Sequence, residues 1–396
     1  MVTYPTDWTE YSFNNFLKIK RGASPRPIEY YVTESASGVN WIKIGDAPKY
    51  GKYIMATKEK ITESGAAQSV RVYPGDFLLS NSMSFGRPYI LGLEGCIHDG
   101  WLRLFEFQNT ADDDYLYYLL SSDSVQSQYQ SYAAGSGVQN LNKEVVKKVV
   151  VCLPGLSEQQ VIAETLSCID THIANLTELI EKKKAIRDGA LEDLVSGRTR
   201  LDGFSDEWNT MPLSKFTAVN PRTDIPDSFV YVDLESVKGI SLVGQRRENK
   251  HSAPSRARRL AQKGDVFYQT VRPYQKNNYL FNLDGDYVFS TGYAQLRTNN
   301  DPNYLFLLIR QDSFVNCVLD NCTGTSYPAI NPKKLSEIEV YVPIDIEEQR
   351  AIAQIIMVMD TEIATLEEEK DKMLQIKAGA MDDLLTGRVR LMRQGG

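Results

Sequence analysis

Glu158 to Leu201 reads EQQVIAETLSCIDTHIANLTELIEKKKAIRDGALEDLVSGRTRL, and Glu348 to Leu391 reads EQRAIAQIIMVMDTEIATLEEEKDKMLQIKAGAMDDLLTGRVRL. At a constant offset of 190, about 20 of the 44 positions are identical, far more than two unrelated amphipathic helices would share. Apolar residues recur at alternating steps of three and four. They run Ile162, Leu166, Ile169, Ile173, Leu176 and Ile180 in the first copy, and Ile352, Ile356, Met359, Ile363 and Leu366 in the second. That spacing is a coiled-coil seam. Each copy follows a proline (Pro154, Pro343) and stops at a glycine before a basic tail (Gly197-Arg198, Gly387-Arg388), so the start and stop signals agree. Two long helices with one pattern in one chain are candidates to pair with each other.

The duplication extends beyond the helices. At an offset of 189, Pro74-Gly75-Asp76-Phe77 aligns with Lys263-Gly264-Asp265-Val266, and Gly135-Ser136-Gly137 through Leu141-Asn142 with Gly324-Thr325-Ser326 through Ile330-Asn331. Val149–Pro154 aligns likewise with Ile338–Pro343, and the openings Thr6-Asp7-Trp8 and Asp206-Glu207-Trp208 match. Four segments follow: a first block (1–153), a helical region (154–203), a second block (204–342) and a second helical region (343–396). Inside the blocks the pattern is β-rich. Trp41–Ile44, Phe229–Leu234, Asp76–Leu79 and Asp265–Tyr268 read as strands, the last two entered through a glycine turn. Tyr115–Ser122 and Tyr304–Arg310 read as short helices, and Val145–Cys152 and Ile338–Val342 as exit strands. The fold class is α+β: two β-rich domains separated by two long helices in a tandem repeat.

A chain of 396 residues, 42% hydrophobic, is long enough for two or more domains. No run reaches the apolar length of a membrane span and no secretory signal opens the sequence, so a cytoplasmic protein is expected. Cys96, Cys152, Cys168, Cys317 and Cys322 are odd in number and scattered, which fits a reducing compartment and offers no zinc-ligand spacing. The net charge of −7 argues against a nucleic-acid binder until it is divided. The four segments carry −1, −3, +1 and −4, so the acidity sits on the helices and the blocks are near neutral. Local patches decide what such blocks bind.

Motifs that suggest catalysis have plainer readings. Asp301-Pro302-Asn303-Tyr304 resembles an amino-methyltransferase signature but lacks its second proline and any glycine-rich cofactor loop; a turn and helix cap is the expectation. Asp227, Asp233, Glu235 and Lys238 have the wrong spacing for a nuclease cluster. His98, His172 and His251 lie in no nucleophile motif, and His172 is expected on a solvated helix face. No phosphate-binding loop for ATP is present.

The informative charge run is Arg246-Arg247-Glu-Asn-Lys250-His251-Ser-Ala-Pro-Ser-Arg256-Ala-Arg258-Arg259 through Lys263, with seven basic side chains and one acid. Arg272, Tyr274 and Lys276 follow after the next strand. A solvated loop is the usual meaning of such a run. Here the arginine density, with Gln, Asn and Tyr interleaved, suits phosphate neutralisation and base-edge readout. In the first block Lys18, Lys20, Arg21 and Arg26 form a basic cluster, Arg71 precedes the Pro-Gly-Asp turn, and Asn81-Ser-Met-Ser84-Phe-Gly-Arg87 occupies the place of Thr270–Lys276. The DNA-contact candidates are therefore Lys18, Lys20, Arg21, Arg71, Ser84, Arg87, Arg246, Arg247, Lys250, Arg256, Arg258, Arg259, Arg272, Tyr274 and Lys276.

Two differing β-rich blocks, each followed by a near-copied helix opening Pro…Glu-Gln…Ile-Ala and closing on Gly-Arg, resemble the specificity subunit of type I restriction–modification systems. The resemblance covers the whole chain in register. It implies a non-catalytic subunit in which each target-recognition domain reads one half of a split DNA sequence. The helices would pack as an antiparallel coiled coil with pseudo-two-fold symmetry and hold two methylation subunits. S-adenosylmethionine would sit on those subunits, and ATP and Mg on separate motor-nuclease subunits. A stand-alone bipartite DNA-binding protein and a fused methyltransferase or nuclease are the alternatives. Lys183, Arg187, Lys370 and Lys377 interrupt the seam, which suggests a face turned to solvent or a partner.

Overall fold

The computed structural model describes residues 4–49, 51–81, 85–134, 141–324 and 326–391. The chain divides into two compact units, Met1–Thr177 with Glu368–Gly396, and Glu178–Glu367. The cut falls inside the long helices, Leu156–Val195 and Ile346–Leu385, of 40 residues each. Each unit thus holds one β-rich block and one segment of both helices. Among the described residues, no helix is long and apolar enough to cross a membrane.

In the first unit two five-stranded sheets are stacked. The one nearer the helices runs in the order Lys18–Arg21, Trp101–Phe105, Phe77–Ser80, Pro88–Leu91, Tyr53–Ile54; the outer one runs Val32–Thr33, Glu59–Ile61, Val39–Ile42, Gly95–Ile97, Val70–Val72. Phe77–Ser80 is buried throughout. Its side chains alternate between layers, as strand geometry requires. Phe77 and Leu79 enter a core with the helices Asp113–Ser121 and Leu156–Val195, while Leu78 enters the core between the sheets with Ile42, Tyr89 and Trp101. Each such fully buried side chain contributes about 1.5–3 kcal/mol.

The second unit repeats this plan with fewer strands. Ala218–Val219, Tyr293–Arg297, Val266–Gln269 and Tyr279–Leu280 form the helix-side sheet; Arg246–Asn249, Ser228–Val232, Tyr287–Ser290 and Ala257–Leu260 form the outer one. Val266 and Tyr268 face the helix-side core, and Phe267 stacks on Phe289 of the outer sheet at 3.6 Å. In each unit the N-terminal strand pairs antiparallel with the strand entering the long helix: Thr9–Ser12 with Val150–Leu153, and Trp208–Pro212 with Glu339–Pro343.

The long-helix segments run antiparallel within each unit. In the first, Ile162, Leu166 and Ile169 share a core with Leu384, Leu385 and the block. In the second, Ile352, Ile356 and Met359 do so with Leu194, Val195 and the block. Leu176, Ile180 and Ile363 are also buried, and Ile173 and Leu366 half-buried. Most of the basic interruptions do not mark a free face. Lys183 reaches Glu362 at 2.6 Å, Arg187 pairs with Asp360, and Lys377 reaches Asp170 at 2.6 Å. Crossing antiparallel brings each cation opposite an acid of the other copy, a relation invisible in one helix alone.

One strand expectation is corrected. Val145–Lys147 belongs to a short helix, Lys143–Lys147, and the exit strand begins only at Val150. Asn142 causes this: its Oδ1 accepts the N–H of Val145 at 2.9 Å and caps the helix. Asn331 caps Pro332–Glu337 in the same way. The repeated Leu/Ile-Asn pair is therefore a helix start.

Candidate nucleic-acid interface

Three duplicated devices hold the blocks in shape. In the Gly-Asp turns, Gly75 and Gly264 adopt φ of +89° and +87°, where a side chain would be strained. The aspartate that follows folds back to accept a backbone N–H, from Tyr73 to Asp76 and from Gln262 to Asp265, each at 2.7 Å. Each aspartate also holds an arginine of the neighbouring strand. Arg103 donates to Asp76 at 2.9 Å, and Arg297 binds Asp265 through two bonds of 2.7 Å. The Asp265 carboxylate raises the pKa of Arg297.

The second device is a glutamine in the first turn of each long helix. Gln159 Oε1 accepts the N–H of Asp112, and Gln349 Oε1 that of Asp301; their amides donate to the carbonyls of Pro154 and Pro343. Asp112 and Asp301 in turn cap the helices that begin at Asp113 and Pro302. Asp301 is thus a cap, as its plainer reading expects. The Glu-Gln pair is legible in the sequence, but nothing there shows that it clamps the block.

The third device closes each unit. Arg200 binds Glu348 through two bonds, at 2.9 and 2.7 Å, and Trp208 Nε1 donates to the same carboxylate at 3.1 Å. Arg390 binds Glu158 at 2.6 and 2.8 Å and Asp7 at 3.0 and 2.9 Å. These acids raise the pKa of both arginines, and Arg390 lowers that of Asp7.

The basic run of the second block is not one loop. Arg246 and Arg247 lie on one edge strand of the outer sheet, and Arg258 and Arg259 on the opposite edge, three strand spacings or about 14 Å away. Arg246 pairs with Glu248 at 2.6 Å and sits over the Tyr231 ring. Arg247, Lys250, Arg256 and Arg258 are exposed, with no carboxylate partner among the described residues. Arg259 is half-buried with its Nε unpartnered, and burial lowers its pKa. An edge strand of arginines has no apolar alternation, so the sequence does not announce it.

Past the strand Val266–Gln269, the chain makes a turn over Thr270–Asn278. Arg272 and Lys276 have left-handed backbones, with φ of +54° and +53°. Such a conformation costs a non-glycine residue about 1–3 kcal/mol and persists only where the surroundings impose it. They do so here. Arg272 donates its backbone N–H to Pro328 at 2.7 Å and lies 4.2 Å over the Tyr327 ring, while Lys276 pairs with Asp312. Tyr274 and Gln275 stand exposed between them.

In the first block the basic candidates other than Lys20 are tied down. Lys18 pairs with Glu106, Arg71 with Glu63 and Glu94, and Arg26 with Asp99; Arg21 Nε donates to the Asp99 carbonyl at 3.1 Å. Glu63 raises the pKa of Arg71. Lys20 is exposed on the strand Lys18–Arg21. Arg87 donates to the Lys49 carbonyl and lies over the Tyr89 ring at 5.1 Å. Ser84 lies outside the described residues. The structure gathers Lys18, Lys20 and Arg21 on one strand but does not bring Arg71 or Arg87 onto it.

The other candidates are structural. Asp233 accepts from Glu235 N and Ser236 N, which makes a turn. His172 is exposed, 3.4 Å from Glu369. His98 Nδ1 accepts the N–H of Gly100 at 2.7 Å, and burial lowers the pKa of its imidazole.

Comparisons with known proteins agree with this plan. The family model for the type I restriction modification DNA specificity domain matches residues 5–185 and 244–375. The type I restriction enzyme MjaVIII specificity subunit of Methanocaldococcus jannaschii is 23% identical, over 98% of this chain and 94% of its own. The EcoDI specificity subunit of Escherichia coli is 22% identical, over 58% and 59%. The HsdS subunit of Thermoanaerobacter tengcongensis shares the fold, with a TM-score of 0.53 at 16% identity, over 98% of both chains. A structure from a type I restriction–modification complex reaches 0.62 at 15% identity, over 98% of this chain and all of that one. With two matched regions on a duplicated scaffold, the chain belongs to the DNA specificity subunits of type I restriction–modification systems, the non-catalytic components that recognise DNA alongside other subunits of those systems.

Proposed function

We propose that each block reads one half of a split DNA target, and that the two long helices set the distance between the halves and carry two methylation subunits. Those subunits bring S-adenosylmethionine; ATP and Mg belong to motor-nuclease subunits of the full complex, in the cytoplasm. One observation carries this reading: the Gly-Asp turns, the glutamine clamps and the arginine–glutamate pairs recur in both units while the outer sheets and their charges differ. A shared scaffold with unlike outer faces suits two half-sites of unlike sequence. The stoichiometry draws support from Ile186 and Ile376, equivalent at the 190 offset, one in each unit, and 61% and 53% exposed. An apolar side chain left in water at both equivalent positions suits two like docking surfaces.

Co-expression with the neighbouring genes tests the assembly. Two methylation subunits are expected per chain, and Ile186→Asp or Ile376→Asp is expected to remove one. A chain that binds a split target alone, with no such partner, is the stand-alone reading; methyl transfer by the chain alone would sink both. Each helix is about 60 Å long at 1.5 Å per residue. A seven-residue insertion in both adds roughly 10 Å, or about three base pairs. Methylation mapping that showed an unchanged spacer would defeat the ruler.

A further inference from the structure

The turn Thr270–Asn278 presents two side chains, Tyr274 and Gln275, and anchors the second. At its base Gln269 and Asn278 are 2% and 1% exposed, and Asn278 Oδ1 accepts the N–H of Gln269 at 2.9 Å. Gln269 Nε2 then donates to Gln275 Oε1 at 2.9 Å, which anchors the Gln275 carboxamide to the buried base of the turn. Asn277 Oδ1 accepts the N–H of Gly239, tying the turn to the hairpin Val237–Leu242. The cations flanking the tip are engaged: Arg272 lies on Tyr327 with its Nε buried, and Lys276 pairs with Asp312. Their strained backbones lift the tip out.

We propose that Gln275 is the specificity-determining residue of the second block and that it recognises adenine, with Arg272 and Lys276 as positioning residues. This rests on the chain's role in reading DNA. A glutamine side chain matches the major-groove edge of adenine by donating to N7 and accepting from N6. Among the described residues the Gln275 amide nitrogen has no hydrogen-bond partner, and Oε1 keeps one lone pair beside its bond to Gln269. An anchored side chain loses little rotamer freedom on binding, so more of the contact appears as discrimination. Arg247, Lys250, Arg256 and Arg258 provide charge for phosphates, which positions without reading.

The test uses the full chain in complex with its methylation subunits, and single-molecule mapping of methylated host DNA. In Gln275→Ala, one A·T pair in one half-site is expected to lose roughly 5- to 150-fold of its discrimination, with the other half-site unchanged. Gln275→Glu is expected to move preference at that pair towards C·G, because a carboxylate accepts from cytosine N4. Arg272→Ala is expected to relax the same pair, and Arg272→Lys, which keeps a cation over Tyr327, to restore it. A motif intact in Gln275→Ala, or a change confined to a G·C pair, overturns the role of Gln275. Relaxation of a different pair in Arg272→Ala overturns the positioning role. A wild-type complex that methylates no split motif overturns the DNA-reading function, and this assignment with it.

Discussion

The two units agree where they meet the long helices and differ where they do not. The Gly-Asp turn, the glutamine clamp and the arginine closure recur with matching partners. Away from the helices, the first unit has a five-stranded outer sheet over a small core of Trp41, Ile61, Ala66 and Cys96, and its basic candidates Lys18 and Arg71 are bound to acids. The second has four strands and leaves Arg247 and Arg258 of its edge strands in solvent. Buried hydrogen-bonded networks tolerate little change, because each lost partner strands a desolvated group. Exposed edges carry no such penalty. The difference teaches where sequence is free to vary without disturbing the scaffold.

The largest test of that contrast is in the Gly-Asp turns. Asp265 takes four bonds, from Gln262, Gln295 and two from Arg297, whereas among the described residues Asp76 is met by Tyr73 and by Arg103, and by no counterpart of Gln295. Asp265→Ala is expected to cost about 3–5 kcal/mol, since it leaves a partly buried arginine unpaired, and Asp76→Ala about 1–3 kcal/mol. Denaturant unfolding checks both. The glutamine clamps should behave alike: Gln159→Leu and Gln349→Leu are each expected to cost about 2–4 kcal/mol. Unequal losses would break the equivalence of the units.

A pH effect should separate them. The folded pKa of His98 lies below its ordinary value of about 6.5, so the unfolded chain binds the extra proton first. Its stabilising contribution is present above about pH 6.5 and is lost as pH falls towards the lowered pKa. The second unit has one histidine, His251, and it is exposed. Acid melting from pH 7.5 to 5.5 should therefore weaken the first unit more, and His98→Gln should narrow the gap; an unchanged gap would exclude His98. The smallest effects belong to the exposed edge. Lys250→Ala and Arg256→Ala should change stability by less than about 0.5 kcal/mol and each lower the salt dependence of DNA binding by about one counterion.

The sequence carries the repeat, the long helices, both Gly-Asp turns and their central strands, because these rest on periodicity and on glycine, which need no tertiary knowledge. It misses what depends on residues meeting across distance. Lys183 and Arg187 interrupt the seam when one helix is read alone, yet they meet acids near residue 360 of the other copy. Gln159 and Gln349 stand in a visible motif, but their partners Asp112 and Asp301 lie about 47 residues earlier. That both pairs recur at nearly the same offset is the signal that could have joined them. The basic run reads as a loop because arginines hide the alternation of the strands that carry them. Arg272, Tyr274 and Lys276 are placed on the right turn, yet Gln275, beside them, is singled out only by its bond to the buried Gln269.

The arginine closures have a consequence for chain connectivity. In the second unit Arg200 and Trp208 meet on Glu348, and residues 201–207 join them covalently. In the first, Arg390 meets Glu158 and Asp7 beside Trp8, across a sequence separation of 383 residues between Asp7 and Arg390. One joint is a bond where the other is only a contact. A circularly permuted chain, joined from Leu391 to Tyr4 by a short linker and opened between Leu201 and Glu207, would exchange the two while leaving every duplicated clamp in place.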